Sequence, residues 1–134
     1  DIYFLFLNTP KFIEHKQVKF IRGSADFKLR EKFLTASDLM LHARWEGETF
    51  GLACAEFLIR RKPIITWGES RERNHILLAD RSCIFYNTKE ELSLILKKIT
   101  KEYIKYKASL IPADFISETY SFASVGKQLI EYIG

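Results

Sequence analysis

Leu39–Trp67 reads LMLHARWEGETFGLACAEFLIRRKPIITW. Leu39–Ala43 is a short, largely apolar run, preceded by Ser37-Asp38. Arg44–Glu48 is a polar loop, and Phe50–Arg61 reads as a helix. Arg60, Arg61 and Lys62 stand at or just past its end, where positive charge complements the helix dipole. Pro63 then opens a second apolar run, Ile64–Trp67, which Gly68 closes. Strand, loop, helix and strand in this order predict parallel strands joined through a helix.

The flanks extend the pattern. Ile2–Leu7 (IYFLFL) is a continuous apolar run ending at Asn8-Thr9-Pro10, and it reads as a strand buried on both faces of a parallel sheet. Gln17–Ile21 alternates and breaks at Gly23-Ser24. Asp26–Thr35 fits a short helix, with Ser24 as its cap and Asp26 in its first turn. Glu69–Asp80 turns from polar to apolar and holds a short helix, and Cys83–Tyr86 is a strand. Thr88, followed by Glu90-Glu91, opens a helix to about Tyr103, with Leu92, Ile95, Leu96 and Ile99 on one face. A last helix spans roughly Ser121–Ile133. Alternating strands and helices with short connections, and no Asn-Gly hairpin signal, predict a doubly wound α/β fold with a parallel sheet.

Composition excludes several classes. The 134 residues suit one domain, and 47% hydrophobic with 28% charged residues is an ordinary globular balance. The net charge of +4 and a pI near 9.1 allow a partner carrying phosphates. The cations are interleaved with acids in no continuous stripe, so nucleic acid is not expected as a partner. No apolar run approaches the ~20 residues of a membrane helix. Cys54 and Cys83 form no disulfide framework, and no His/Cys cluster has metal spacing, so a reduced cytoplasmic setting without a metal is expected. The chain opens on Asp1 and runs straight into a strand-like segment, so it is expected to be a piece of something longer.

The chemistry concentrates in His42–Glu56, HARWEGETFGLACAE. Ligands of parallel sheets bind outside the carboxyl ends of strands, where this loop lies. Thr49, Phe50, Gly51 and Leu52 would form the first helical turn, with free backbone N–H groups and a positive dipole end, and Gly51 would let a phosphate approach closely. Glu56 stands alone on an otherwise apolar helix, which should be buried. A carboxylate there needs hydrogen-bond donors, and sugar hydroxyls would serve. Blander uses stay open. Glu48 also fits a first-turn acid, Glu56 fits a partner of an Arg or a solvent-facing residue, and Arg44 fits a surface cation. His42 fits a packed, hydrogen-bonded imidazole as well as a base. Asn74 would cap a short helix, and His75 beside it could border the same crevice.

Glu48 and Glu56, with seven residues between them and Phe-Gly-Leu starting two positions after the first, resemble the E-x7-E motif of retaining GT-B glycosyltransferases of the family-4 type, glycosyltransferase group 1. Ala36–Leu41 resembles the strand before that motif, RRKPIITW (Arg60–Trp67) the strand after it, and YSFASVGKQLIEY (Tyr120–Tyr132) the terminal helix. Ile2–Thr9 is similar to an earlier strand of that domain, with Asn8 where the family has Gly. The likeness is sharp over residues 36–68 and softer elsewhere.

The resemblance implies the C-terminal, donor-binding domain of such an enzyme: a Rossmann-like, doubly wound parallel sheet in three layers, spanning residues 1–134. It implies Glu48 as the catalytic-site acid at the donor sugar or its diphosphate, and Thr49, Phe50, Gly51 and Leu52 as backbone donors to the diphosphate. Glu56 would accept hydrogen bonds from the ribose hydroxyls, and the base would lie near Asp26–Leu34. Arg44 would add positive charge, and His42 is a possible further contact. No cofactor or metal is implied. The acceptor, a glycan or other hydroxyl compound, would bind a separate N-terminal domain that this chain lacks, so these residues alone are expected to be inactive. A non-catalytic Rossmann-like interaction module is the alternative. The basic clusters Arg60-Arg61-Lys62 and Arg71-Glu72-Arg73 would then serve an interface or solubility.

Overall fold

The computed structural model describes residues 1–133. The chain is α/β, its strands pair in parallel, and it divides into two compact units, Asp1–Asp38 and Leu39–Gly134.

In the first unit, β1 (Phe4–Leu7) pairs with β2 (Val18–Ile21), Phe6 opposite Phe20. The Phe6 and Phe20 rings stack at 5.2 Å, and Phe12 meets both edge-on at 5.2 and 5.1 Å. The parallel pairing agrees with the apolar run. The expected burial on both faces does not, because all of the β1 residues are only half-buried. Helix α1 (Phe27–Ala36) starts one residue later than predicted. Asp26 has extended backbone and is itself the cap, accepting from the Lys28 N–H at 2.9 Å, while Ser24 accepts from the Asp26 N–H.

The second unit begins with β3 (Met40–His42), β4 (Gly47–Glu48) and α2 (Leu52–Leu58). β5 (Ile64–Trp67), β6 (Glu72–Arg73) and α3 (Asn74–Ala79) follow, then a 3-10 turn at Asp80–Ser82. β7 (Ile84–Tyr86) and the helices α4 (Lys89–Lys98), α5 (Lys101–Ser109), α6 (Ala113–Thr119) and α7 (Phe122–Ile133) complete it. The main sheet has the order β3-β5-β7, with Leu41 opposite Ile65 and Ile65 opposite Ile84. β4 and β6 form a separate parallel pair inside what the sequence suggests is loop, with the Glu72 N–H donating to the Glu46 carbonyl at 2.8 Å.

Strand alternation sends successive β5 residues to different cores. Ile64 packs with Cys54 and Leu58 of α2, Ile76 and Leu78 of α3, and Ile116 of α6. Ile65 packs with Ile84, Tyr86 and the apolar face of α4, including Leu92 and Ile95. Leu58, Ile64 and Ile65 are fully buried. The continuous apolar run in β5 is therefore a two-faced strand, as in other buried parallel sheets.

Helix α2 is shorter than the predicted Phe50–Arg61, and each end has a local cause. Gly51 at its start is left-handed (φ 85°), so Thr49 and Phe50 precede the helix. At the other end Arg61 is also left-handed (φ 54°). Its N–H donates to the Leu58 carbonyl and that of Lys62 to the Phe57 carbonyl, the paired closure of a Schellman stop. Arg61 also pairs with Asp114 at 3.0 Å, and Arg60 donates to the Glu56 carbonyl. Two members of this basic cluster thus work within the fold.

The long helix expected to about Tyr103 is two helices. Thr88 caps α4 as predicted, accepting from the Glu91 N–H at 3.0 Å. Thr100 then adopts extended backbone and caps α5, accepting from the Tyr103 N–H. Nothing in the periodicity anticipates α6. Helix α7 matches its predicted span and leaves Phe122, Ile130, Tyr132 and Ile133 exposed.

Two glycines predict opposite effects of one substitution. Gly47 is left-handed (φ 81°), and a Cβ there would collide with the Glu72 carbonyl of the β4–β6 pair. Gly47→Ala should cost more than the ~1–2 kcal/mol of a left-handed alanine. Gly126 lies inside α7 with nothing near its missing Cβ, so Gly126→Ala should add about 0.5–1 kcal/mol. Urea unfolding midpoints of the two variants should move in opposite directions.

Candidate functional site

The carboxyl ends of β3 and β5 bring His42 and Thr66 into register. By alternation both point to the side on which Met40 and Ile64 pack against α2 and α3. His42 Nδ1 and Thr66 Oγ1 are 3.0 Å apart, and Thr66 Oγ1 is 3.0 Å from His75 Nε2 at the start of α3. The two imidazole rings lie 4.5 Å apart. Thr66 and His75 are fully buried and His42 is nearly so. His75 Nδ1 is buried without a hydrogen-bond partner among the described residues.

His42 Nε2 reaches the Glu48 carboxylate at 3.3 Å. Arg44 approaches both Glu48 oxygens, at 3.3 and 3.4 Å, and lies 3.9 Å from Glu46. Glu48 thus sits between a buried imidazole and an exposed guanidinium. Burial alone would raise its carboxyl, but the His42 hydrogen bond and the Arg44 charge outweigh it, and the net shift is downward. Its position on β4 replaces the first-turn role that the sequence left open.

Gly51 lies under this cluster. A Cβ there would come within 3.1 Å of the His75 Cβ and 3.2 Å of the Glu48 Cβ, so glycine is needed for its conformation and for space. Because α2 begins at Leu52, the free N–H groups of its first turn are those of Leu52, Ala53 and Cys54, displaced from the predicted Thr49–Leu52. Ala55 N–H already donates to the Gly51 carbonyl at 2.9 Å. Thr49 is exposed, and its carbonyl accepts from the Asn74 side-chain amide. That is the use of Asn74, in place of the predicted cap: Asn74 is the first residue of α3, and the Arg73 before it gives no side-chain cap. Phe50 meets Tyr120 edge-on at 4.8 Å, beside a cavity of about 420 Å³ also lined by Leu77 and Phe115.

Helix α2 is not buried all round. Leu52 and Ala53 are exposed, and Glu56 is half-buried. The desolvation argument for Glu56 loses force accordingly, since a half-buried carboxylate keeps part of its hydration. The segment around Asp26–Leu34 forms α1 of the first unit.

Sequence reasoning gave no role to Thr66 and set His75 only at a border. A hydroxyl inside the apolar run IITW was the available signal. Its distance of nine residues from His75 in the chain hid their contact. Cys54 and Cys83 are buried free thiols, each pushed by burial up to about 12, so neither is a nucleophile near neutral pH. Among the described residues no group of three or more His, Cys, Asp or Glu side chains is arranged to hold a metal ion, and no helix is long and apolar enough to cross a membrane. No family model, curated protein or solved structure matches the chain.

Burial lowers His75 from its ordinary value of 6.5 to about 4, the His42 charge adding to the effect. The folded state then binds fewer protons than the unfolded state between these values, so stability is full above pH 6.5 and falls as pH drops toward 4. The His75 contribution should be about 2 kcal/mol smaller at pH 5 than at pH 7.5. Urea unfolding at the two pH values, compared with His75→Gln, isolates it: the variant should show the smaller pH dependence.

Proposed function

We propose that the chain is a donor-binding domain of a retaining GT-B glycosyltransferase of the family-4 type, which binds a nucleoside-diphosphate sugar for transfer to an acceptor hydroxyl. The observation that carries this is the convergence of His42 and Arg44 on Glu48, with the left-handed Gly51 beside it. Glu48 has its carboxylate anchored on one side and partly exposed on the other, which suits contact with a sugar or its diphosphate. Arg44, exposed at the loop, supplies positive charge for the diphosphate. The backbone around Thr49, Phe50, Gly51 and Leu52 passes close to it, and Glu56 one turn on would take the ribose hydroxyls.

The chemistry asked of such a site is electrostatic. A departing nucleoside diphosphate carries developing charge, and fixed donors aimed at it lower the barrier. The proposal includes a Rossmann-like, doubly wound sheet in three layers, supported by the separate packing of Ile64 and Ile65. It includes no cofactor and no metal, a glycan or other hydroxyl acceptor, and a cytoplasmic setting, which two buried free thiols suit.

A non-catalytic interaction module is favoured by one observation, the exposed Phe122, Ile130, Tyr132 and Ile133 of α7. It predicts that no nucleotide is bound.

Thermal unfolding in uridine, guanosine or adenosine diphosphate separates the two. One of the three should stabilise the domain by about 2.7 kcal/mol at a hundredfold excess over Kd. Glu56→Ala should weaken that nucleotide roughly tenfold or more. Equal protection of wild type and Glu56→Ala would remove the ribose role, and no protection by any of the three would leave the interaction module.

A further inference from the structure

The histidine pair carries more than packing. Glu48 accepts hydrogen bonds only, so His42 Nε2 must hold a proton to donate to it. With its proton on Nε2, the His42 ring offers Nδ1 as an acceptor, and Thr66 donates to it. The Thr66 oxygen keeps lone pairs, and His75 Nε2–H supplies the donor. The His75 ring is neutral near pH 8, because burial holds it down at about 4, so its single proton sits on Nε2 and its Nδ1 is bare. That agrees with the lack of a hydrogen-bond partner for buried His75 Nδ1 among the described residues, since a bare nitrogen there leaves no N–H stranded. Reversing the chain strands a proton, either on His75 Nδ1 or on the Thr66 hydroxyl.

We propose that His75, Thr66, His42 and Glu48 form one directional hydrogen-bond relay, in which Thr66 and His75 are positioning residues that hold the His42 Nε2–H on the Glu48 carboxylate. The proton order runs from His75 to Thr66 to His42 to Glu48. His75 does not hydrogen-bond Glu48, yet its tautomer is tied to the acceptor character of that carboxylate. Gly51 and the Thr49–Asn74 bond keep the start of α3 close enough for His75 to reach Thr66. The relay stands without the donor reading. Its use in presenting Glu48 to a sugar nucleotide rests on that reading.

Long-range proton–nitrogen NMR of the histidines at pH 8 tests it. In the wild-type chain His42 and His75 should each appear as a single Nε2–H tautomer. Glu48→Gln removes the obligate acceptor and should shift the ring nitrogens of both histidines. In a Thr66→Val background the same Glu48→Gln change should still move His42 and no longer move His75, while Thr66→Ser should restore the coupling. An Nδ1–H tautomer at either ring, or a His75 response to Glu48→Gln that survives Thr66→Val, overturns the relay. Should Thr66→Val fail to fold, the wild-type tautomers and the Thr66→Ser pair decide: Nε2–H at both rings with transmission through Ser supports the relay, and a silent His75 overturns it. Uridine, guanosine or adenosine diphosphate added to the wild type should move the His42 signals. If none does while the coupling persists, the donor reading fails and the relay stands.

Discussion

β5 lies between β3 and β7, hydrogen-bonded along both edges and apolar on both faces, and the second unit takes its geometry from that strand. Ile64 and Ile65 are fully buried in different clusters. A strand in this position fixes the register of its neighbours, because a one-residue slip would exchange the two faces. The register brings His42 level with Thr66. The site is thus a by-product of how the strand is enclosed.

Thr66 is the polar exception in that strand. A buried hydroxyl is tolerated when it is hydrogen-bonded, and here both partners are imidazoles. The result is a polar thread that runs from the inside of the sheet to the partly exposed Glu48, with apolar packing around its inner end. Low local polarity strengthens these bonds and makes each unpaired group costly, so the thread has little freedom in where its protons sit. Glycine closes the arrangement from the other side, since Gly51 is packed against both His75 and Glu48.

The helix ends show how local backbone sets what the site can offer. Left-handed Gly51 delays the start of α2, and left-handed Arg61 stops it, so a segment that reads as a long apolar helix makes two turns. The free N–H groups consequently belong to Leu52–Cys54, and Thr49 is turned toward Asn74. An apolar sequence pattern does not register such events, because the side chains on both sides of Gly51 remain compatible with a helix.

Periodicity and turn residues determined a good deal by themselves. They gave the α/β class, the parallel character of β1, β5 and β7, the caps at Thr88 and the span of α7, each governed by neighbours a few residues apart. They also marked His42–Glu56 as the segment where the chemistry lies, without joining His42 and Arg44 to Glu48. Tertiary structure decided the rest. The β4–β6 pair and helix α6 depend on packing against distant segments rather than on a local period, whereas the break at Ile99–Thr100 rests on the local Thr100 cap, which the apolar period of α4 masks. The contact of Thr66 with His75 depends on a strand and a helix meeting across the core. Hydrogen bonds between residues far apart in the chain leave no spacing to read, and the burial that gives them their strength exists only once the sheet is closed.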